Sequence, residues 1–138
     1  MMTGGKFEIG KVFFEEGLPG FLQLQFFKLV QEEEGTPFYL LQSTEDEKVG
    51  FWLINPFVFF ADYQFRLPEQ SRELLRLSDE GQVMVFNIIT PSEKGITVNL
   101  KAPIVINKEN RMAKQVILEE DYDIRHPLVL KHTAPGGV

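Results

Sequence analysis

The chain predicts an all-β fold, a small antiparallel β-barrel-like or sandwich domain with one short helix at about residues 68–77. Three observations carry this expectation. Many short segments alternate or run apolar as strands do, and Gly, Pro and acidic clusters break them at close spacing. Only the stretch after Pro68 takes a helical period. Alternating βα units would need several such stretches, so a barrel or a sandwich fits better.

In chain order, Lys6–Ile9 and Val12–Phe14 are short strand candidates on either side of Gly10, with Thr3-Gly4-Gly5 as a loose start. Gly17-Leu18-Pro19-Gly20-Phe21 is a turn: proline pre-sets φ at the first central position, and Gly20 supplies the positive φ that a type II turn needs at the second. Phe21–Val30 reads as a strand, Glu32–Pro37 as a hairpin loop and Phe38–Gln42 as the antiparallel neighbour. The acidic connector Ser43–Lys48 leads into Val49–Ile54, whose two period-2 faces are both apolar, as expected of a strand covered on both sides. Asn55-Pro56 interrupts it, since proline has no N–H for a ladder. Tyr63–Leu67 alternates like a strand. Pro68–Leu77 then reads as a helix, with Pro68 in the first turn, Glu69 near the positive end and Arg76 near the negative end. Val83–Ile89 is a second apolar strand, closed by Thr90–Gly95, and Ile96–Leu100 pairs back on it. Ala102–Asn107 and Gln115–Leu118 form a further hairpin across Lys108–Lys114, with Pro103 placing the strand start at Ile104. Asp121–Pro127 leaves the sheet, and Thr133–Val138 frays.

A length of 138 residues suits one domain, 1–138, with an ordered core of about 6–128 and a loose tail at 129–138. Twenty acidic residues against fourteen basic ones give a net charge of −6, concentrated in Glu15-Glu16, Glu32–Glu34, Glu45–Glu47 and Glu119–Asp121. Such a surface repels phosphate, so no direct binding of nucleic acid is expected. The chain has no Cys, which removes disulfides and thiolate chemistry and fits a reducing compartment. No apolar run approaches the ~18 residues of a membrane span, and the N-terminus lacks a signal pattern. A cytoplasmic protein without membrane contact is expected.

Catalytic constellations are missing. His126 and His132 have no helical pairing that would hold a metal, the serines lack a nucleophile-elbow context, and the glycines form no phosphate-binding motif. The expectation is a protein that is not an enzyme and has no cofactor and no metal. The aromatic row Phe57, Phe59, Phe60, Tyr63 and Phe65 is the feature left over. Core packing is the plain reading. A nucleic-acid stacking platform would interleave Lys and Arg, which are absent from Phe57 to Tyr63. A protein-binding patch is the sharper alternative.

Gly17-Leu-Pro-Gly-Phe21, Leu41-Gln-Ser43 with Glu45-Asp46, Asn55-Pro56-Phe57 with Asp62-Tyr63, and Asn99-Leu-Lys-Ala-Pro-Ile-Val-Ile-Asn107 stand in an order that resembles the flagellar assembly factor FliW family. The resemblance runs from about Phe7 to Leu128 and takes in Arg111, Gln115 and Tyr122. It implies a small, non-enzymatic, cytoplasmic bacterial protein, taken as a monomer, with two protein partners. These are flagellin and CsrA, an RNA-binding repressor of flagellin translation. Excess flagellin would occupy the protein; once flagellin is exported, the freed protein would sequester CsrA. The contact candidates are Asn55, Phe57, Phe59, Phe60, Asp62 and Tyr63, with Lys101, Ala102 and Pro103 as a second patch. The rival function is a small barrel holding an apolar small molecule among some of the thirteen Phe.

Overall fold

The computed structural model describes residues 7–130 and forms them into strands, two short α-helices and a 3-10 turn at Glu80–Gln82. The strands are β1 (Phe7–Phe14), β2 (Phe26–Gln31), β3 (Phe38–Ser43), β4 (Gly50–Ile54), β5 (Val83–Ser92), β6 (Gly95–Val98), β7 (Ile104–Asn107), β8 (Met112–Gln115) and β9 (His126–Leu128). The helices are α1 (Pro56–Phe59) and α2 (Glu69–Leu74). Neighbouring strands follow the order β4-β3-β2-β1-β8-β7-β5-β6-β9, and β4 also pairs with β5. That extra pairing closes seven strands into a barrel, leaving β6 and β9 as an extension of the far half of β5. All pairings are antiparallel except β1 with β8.

Period-2 alternation sends one set of side chains into the barrel and the other set outward. Phe14, Phe27, Leu29, Leu41, Leu53, Ile104 and Ile106 fill the interior at no measurable exposure. Outside the wall lies a second core, where Ile54, Leu75, Val98, Val105, Val116 and Leu118 bury the outer face of β7 under α2, β6, β9 and the 116–122 segment. Strand β7 therefore reads Ile-Val-Ile-Asn with every residue buried, because both of its faces meet a core.

Several expectations hold. Pro19 and Gly20 make the turn, with Phe21 N–H donating to Leu18 C=O at 2.7 Å and Gly20 at φ 85°. The β2–β3 hairpin, the β5–β6 hairpin, the β7–β8 hairpin and the strand start at Ile104 are all present.

Others need correction. The two N-terminal strand candidates are one strand, carried past Gly10 by a bulge at φ 141°. The segment 22–25 is not strand: Leu24 N–H donates back to Phe21 C=O, and the Glu45 carboxylate takes the Gln25 and Phe26 N–H groups at 2.7 and 2.8 Å, which postpones β2 to Phe26. Strand β4 is covered on both sides only at its end, where Ile54 reaches the second core; Trp52, earlier on the same outer face, is 44% exposed. Tyr63–Leu67 joins no ladder. The Tyr122 hydroxyl instead bonds both the N–H and the C=O of Gln64, and Glu120 Oε2 accepts from Arg66 N–H.

Helix α2 is shorter than the predicted 68–77. It stops in a Schellman turn, with Leu77 N–H on Arg72 C=O and Arg76 N–H on Glu73 C=O, and Arg76 takes the left-handed φ of 57°. Strand β5 runs through Thr90-Pro91-Ser92, which leaves only Glu93-Lys94 as its loop. Arg111, at φ 65°, turns the chain early, so β8 occupies Met112–Gln115 rather than Gln115–Leu118. The segment 121–127 does not leave the sheet for good, since His126–Leu128 returns as β9 along β6. The expected loose start, His132 and the end of the tail lie outside the described residues.

Gly17 and Gly20 separate two kinds of backbone demand in one turn. Both have positive φ, but a Cβ on Gly17 would sit 2.5 Å from Leu22 O, whereas nothing lies within 4 Å of one on Gly20. Gly20→Ala is expected to lose about 1–2 kcal/mol from the left-handed conformation alone. Gly17→Ala should lose more, on the order of 3 kcal/mol, because backbone must also move. Urea unfolding of the two variants checks this; equal midpoints would mean the clash is relieved at no cost.

Candidate functional site

The aromatic row begins with a helix turn that sequence periodicity did not reveal. Asn55 caps α1 by accepting Phe57 N–H at 3.0 Å, Pro56 occupies the first turn, and Phe60 N–H closes on Pro56 C=O at 2.8 Å. Asn55 N–H is itself held by Pro37 C=O at 3.0 Å. The Asn-Pro pair that stops β4 is thus a helix start, and the cap contributes about 1 kcal/mol. Asn55 is a cap, with its side chain committed to the backbone.

One helical turn splays the row instead of stacking it. Phe57 and Val58 point outward at 48% and 62% exposure. Phe59 packs on Phe38 at 6.0 Å between ring centroids, and Phe60 meets His126 edge-on at 5.3 Å. Asp62 is exposed. Val58, which sequence reasoning left out, is the most exposed apolar side chain of the group.

Tyr63 is the fixed point of this region. It is 5% exposed, and its ring touches Phe57, Phe65 and Tyr122. Its hydroxyl donates to Leu100 C=O at 2.7 Å and accepts from Asn87 Nδ2 at 3.2 Å. Burial pushes its phenol up to about 12; the Asn87 hydrogen bond works against the rise, and the nearby Tyr122 and Glu120 add to it. Burial takes Tyr63 off the surface, where it had been expected as a contact, and gives it a structural role.

The expected second patch is likewise turned inward. Asn99 Oδ1 accepts the N–H groups of Lys101 and Ala102, at 3.1 and 3.0 Å. Ala102 and Pro103 are buried, and their carbonyls take Gln115 Nε2 and Val116 N–H. Lys101 is half-buried, with Nζ on Glu120 C=O at 2.8 Å. This segment is a pinned corner rather than an exposed surface.

Two grooves flank Tyr63. One, of about 960 Å³, has a floor of Val83, Val85 and Val105, aromatic walls including Phe57 and Phe65, and Arg66, Glu69 and Arg72 around it, with Glu119 and Glu120 beside Arg66 in an adjoining hollow. The other, of about 510 Å³, is lined by Phe59, Phe60 and Tyr122, with Asp62, Asp121 and Asp123 around it. Phe57 therefore belongs to a groove with a rim of mixed charge, and Phe59, Phe60 and Asp62 to one with an anionic rim. Neither groove lies in the barrel interior, which side chains fill. That filling removes the premise of a ligand-holding barrel.

The acidic runs also differ in what they do. Glu45 is spent on the backbone of 25 and 26, and Ser43 Oγ accepts from Glu45 and Asp46 N–H, whereas Glu119 and Asp121 are exposed. Among the described residues, no group of three or more His, Asp or Glu is placed to hold a metal ion, and no helix is long and apolar enough to cross a membrane.

Comparison with known proteins agrees with this fold. The family model described as FliW protein matches residues 5–128. The flagellar assembly factor FliW of Bacillus subtilis (strain 168) is 42% identical over 121 residues, covering 85% of this chain and 84% of the relative. That of Carboxydothermus hydrogenoformans is 40% identical over 129 residues, covering 90% and 84%. A crystal structure of the flagellar assembly factor FliW superposes with a TM-score of 0.80 at 42% identity, covering 87% of this chain and 86% of that one.

Tyr63→Phe is expected to cost about 1–3 kcal/mol, because it leaves Leu100 C=O and an Asn87 donor short of a partner. The wild-type pH dependence has a defined sign. The folded phenol titrates at about 12 against an ordinary value of 10.0. Its share of the stability is therefore fully present below pH 10 and lost as the pH rises towards 12. Phenolate absorbance should show a late-titrating component that shrinks in Tyr63→Phe, the remainder belonging to Tyr39, whose phenol burial also raises; an undiminished component in the variant would take the shift away from Tyr63.

Proposed function

The chain belongs to the FliW family, and on that premise we propose that it is a cytoplasmic, non-enzymatic partner switch in flagellar assembly. It binds flagellin and, when free of flagellin, sequesters a CsrA-type RNA-binding repressor, so that flagellin synthesis follows flagellin export. It acts as a monomer and does not itself bind nucleic acid, in keeping with its net charge of −6.

The observation that carries this reading is the apolar tip of α1. Phe57 and Val58 are about half to two-thirds exposed on a turn whose own backbone is capped by Asn55 and whose base is fixed by Tyr63. A rigid apolar knob beside two grooves is the form of an interface anchor, since little conformational freedom is lost when it is buried. Phe59, Phe60 and Asp62 complete the contact surface.

Immobilised protein is expected to retain flagellin and the CsrA-type repressor, each identified by mass, from a lysate of the source bacterium. The double variant Phe57→Ala/Val58→Ala should lose about tenfold or more in affinity for at least one of them, with its unfolding midpoint nearly unchanged because both side chains are exposed. Retention of both partners at wild-type affinity would remove the α1 tip from the interface.

Antagonism of the repressor has an electrostatic part in this proposal. The repressor holds RNA by basic side chains, so docking an acidic protein within a Debye length, ~8–10 Å, raises the energy of bound RNA. Asp121 is exposed in the anionic groove and Glu119 is exposed in a separate hollow with Arg66, Glu69 and Glu120, while Glu45 is committed to the fold. Glu119→Gln/Asp121→Asn is expected to bind the repressor yet displace RNA less well, with the deficit largest at low salt. Unchanged displacement at every salt concentration would point to steric blocking instead.

A further inference from the structure

One wall of the groove beside Phe57 is a strap without a ladder. Residues 64–67 run between α1 and α2 and line that groove, yet they belong to no strand. An extended backbone presents the N–H and C=O groups of alternate residues to opposite edges. Gln64 and Arg66 share one edge, and two side chains stand there in place of a neighbouring strand. The Tyr122 hydroxyl accepts Gln64 N–H at 3.2 Å and donates to Gln64 C=O at 2.8 Å, and Glu120 Oε2 accepts Arg66 N–H at 2.8 Å. Among the described residues, the 64–67 backbone makes no other hydrogen bond. Side-chain packing holds the strap only in part: Gln64 and Arg66 are exposed, and Phe65 and Leu67 are partly buried against the outer core.

The two tethers are themselves fixed from behind. Glu120 C=O takes Lys101 Nζ at 2.8 Å and Tyr122 N–H at 2.9 Å, Leu118 N–H reaches Lys101 C=O at 2.9 Å, and the Tyr122 ring meets that of Tyr63 at 4.9 Å. Neither tether lines the groove beside Phe57. Tyr122 faces the groove of Phe59 and Phe60, and Glu120 faces the hollow with Arg66, Glu69 and Glu119. Both reach the Phe57 groove only through the strap.

We propose that Tyr122 and Glu120 are positioning residues for partner binding: by holding residues 64–67 they keep the wall of the Phe57 groove formed before a partner arrives. This deepens the partner-switch reading and rests on it. A four-residue strap with three backbone bonds sits near balance between held and released, because fixing the chain costs about what such bonds return. A partner that needs the formed wall binds with an apparent affinity set by the fraction of molecules in which the strap is held. Loosening the strap therefore slows association and leaves dissociation as it was, since the contacts within the complex are the same. Losing a side chain that touches the partner acts mainly on dissociation instead.

The test measures association and dissociation rates of the full chain with monomeric flagellin and with the CsrA-type repressor. Tyr122→Phe keeps the ring and removes the hydroxyl. Glu120→Ala removes the acceptor of Arg66 N–H, whereas Glu120→Gln keeps an acceptor oxygen and removes the charge. Tyr122→Phe and Glu120→Ala are each expected to slow association of the same partner about threefold, and the double variant about tenfold, at an unchanged dissociation rate. Glu120→Gln should associate as wild type does, which a role through charge would not allow. Hydrogen exchange of the free variants should be faster within 64–67, with β5 and β7 as protected as in wild type. Association at the wild-type rate in the double variant, faster dissociation in place of slower association, or equal defects in Glu120→Gln and Glu120→Ala would each overturn the assignment. Wild-type protein that binds neither partner would overturn the partner-switch reading, and this assignment with it, before any variant is measured.

Discussion

The barrel closes at a single strand, and the rest of the molecule depends on how that strand shares its hydrogen bonds. Residues 83–86 of β5 pair with β7, 87 and 88 with β4, and 89–92 with β6. Asn87 stands at the handover, fully buried, with Nδ2 on Asn99 C=O at 2.7 Å and on the Tyr63 hydroxyl at 3.2 Å. Burying an amide there is unfavourable unless it is bonded; the Nδ2 bonds offset that cost only for the donor half, Asn87 Oδ1 having no partner among the described residues, and they tie the end of β6 and the segment after α1 to the seam. Closure leaves β4 and β5 without free edges where they meet, and the same residue positions the wall between the two grooves.

The alternation of apolar residues was legible wherever one face met water or one core. The β2–β3 and β5–β6 hairpins follow directly from it. It misled where two cores flank one strand or where an apolar side chain stays outside. Val105 and Ile104 are both buried for different reasons, and a one-dimensional pattern cannot tell a barrel interior from an outer core. Trp52 shows the converse. It lies in a cross-strand row with Leu40 and Val30 on an outer face, so its apolar character did not signal cover.

The site was legible as a location more than as a set of contacts. The segment 55–63 was found because its aromatic density exceeds what a turn carries, but asparagine chemistry decided which side chains remain available. All five asparagines bond backbone groups: Asn55 to Phe57, Asn87 to Asn99, Asn99 to Lys101 and Ala102, Asn107 to Leu75 and Glu109, and Asn110 to Leu75 and Met112. Much of the motif that makes the family recognisable is therefore local backbone satisfaction. Only Asn55 carried a readable signal, an N-cap residue followed by proline at the first helical position. Long-range partners such as Leu75 for Asn107 have no signature in a single sequence.

The position of Tyr63 also constrains how two partners could influence each other. Its ring is held by three aromatic neighbours and its hydroxyl by two bonds, so the wall between the grooves has no slack to transmit a shift. Coupling across it must then come from direct overlap of the partners or from their charges. Asp62, Asp121 and Asp123 border one groove, and on the other side of the same buried ring Arg66 stands with Glu69, Glu119 and Glu120, so acidic side chains border the wall on both sides. Charge alone therefore does not set two ligands against each other across it. Mutual exclusion, if the switch requires it, has to be steric, and the exposed tip at Phe57 and Val58, which lies beside both grooves, is where two bound partners would collide.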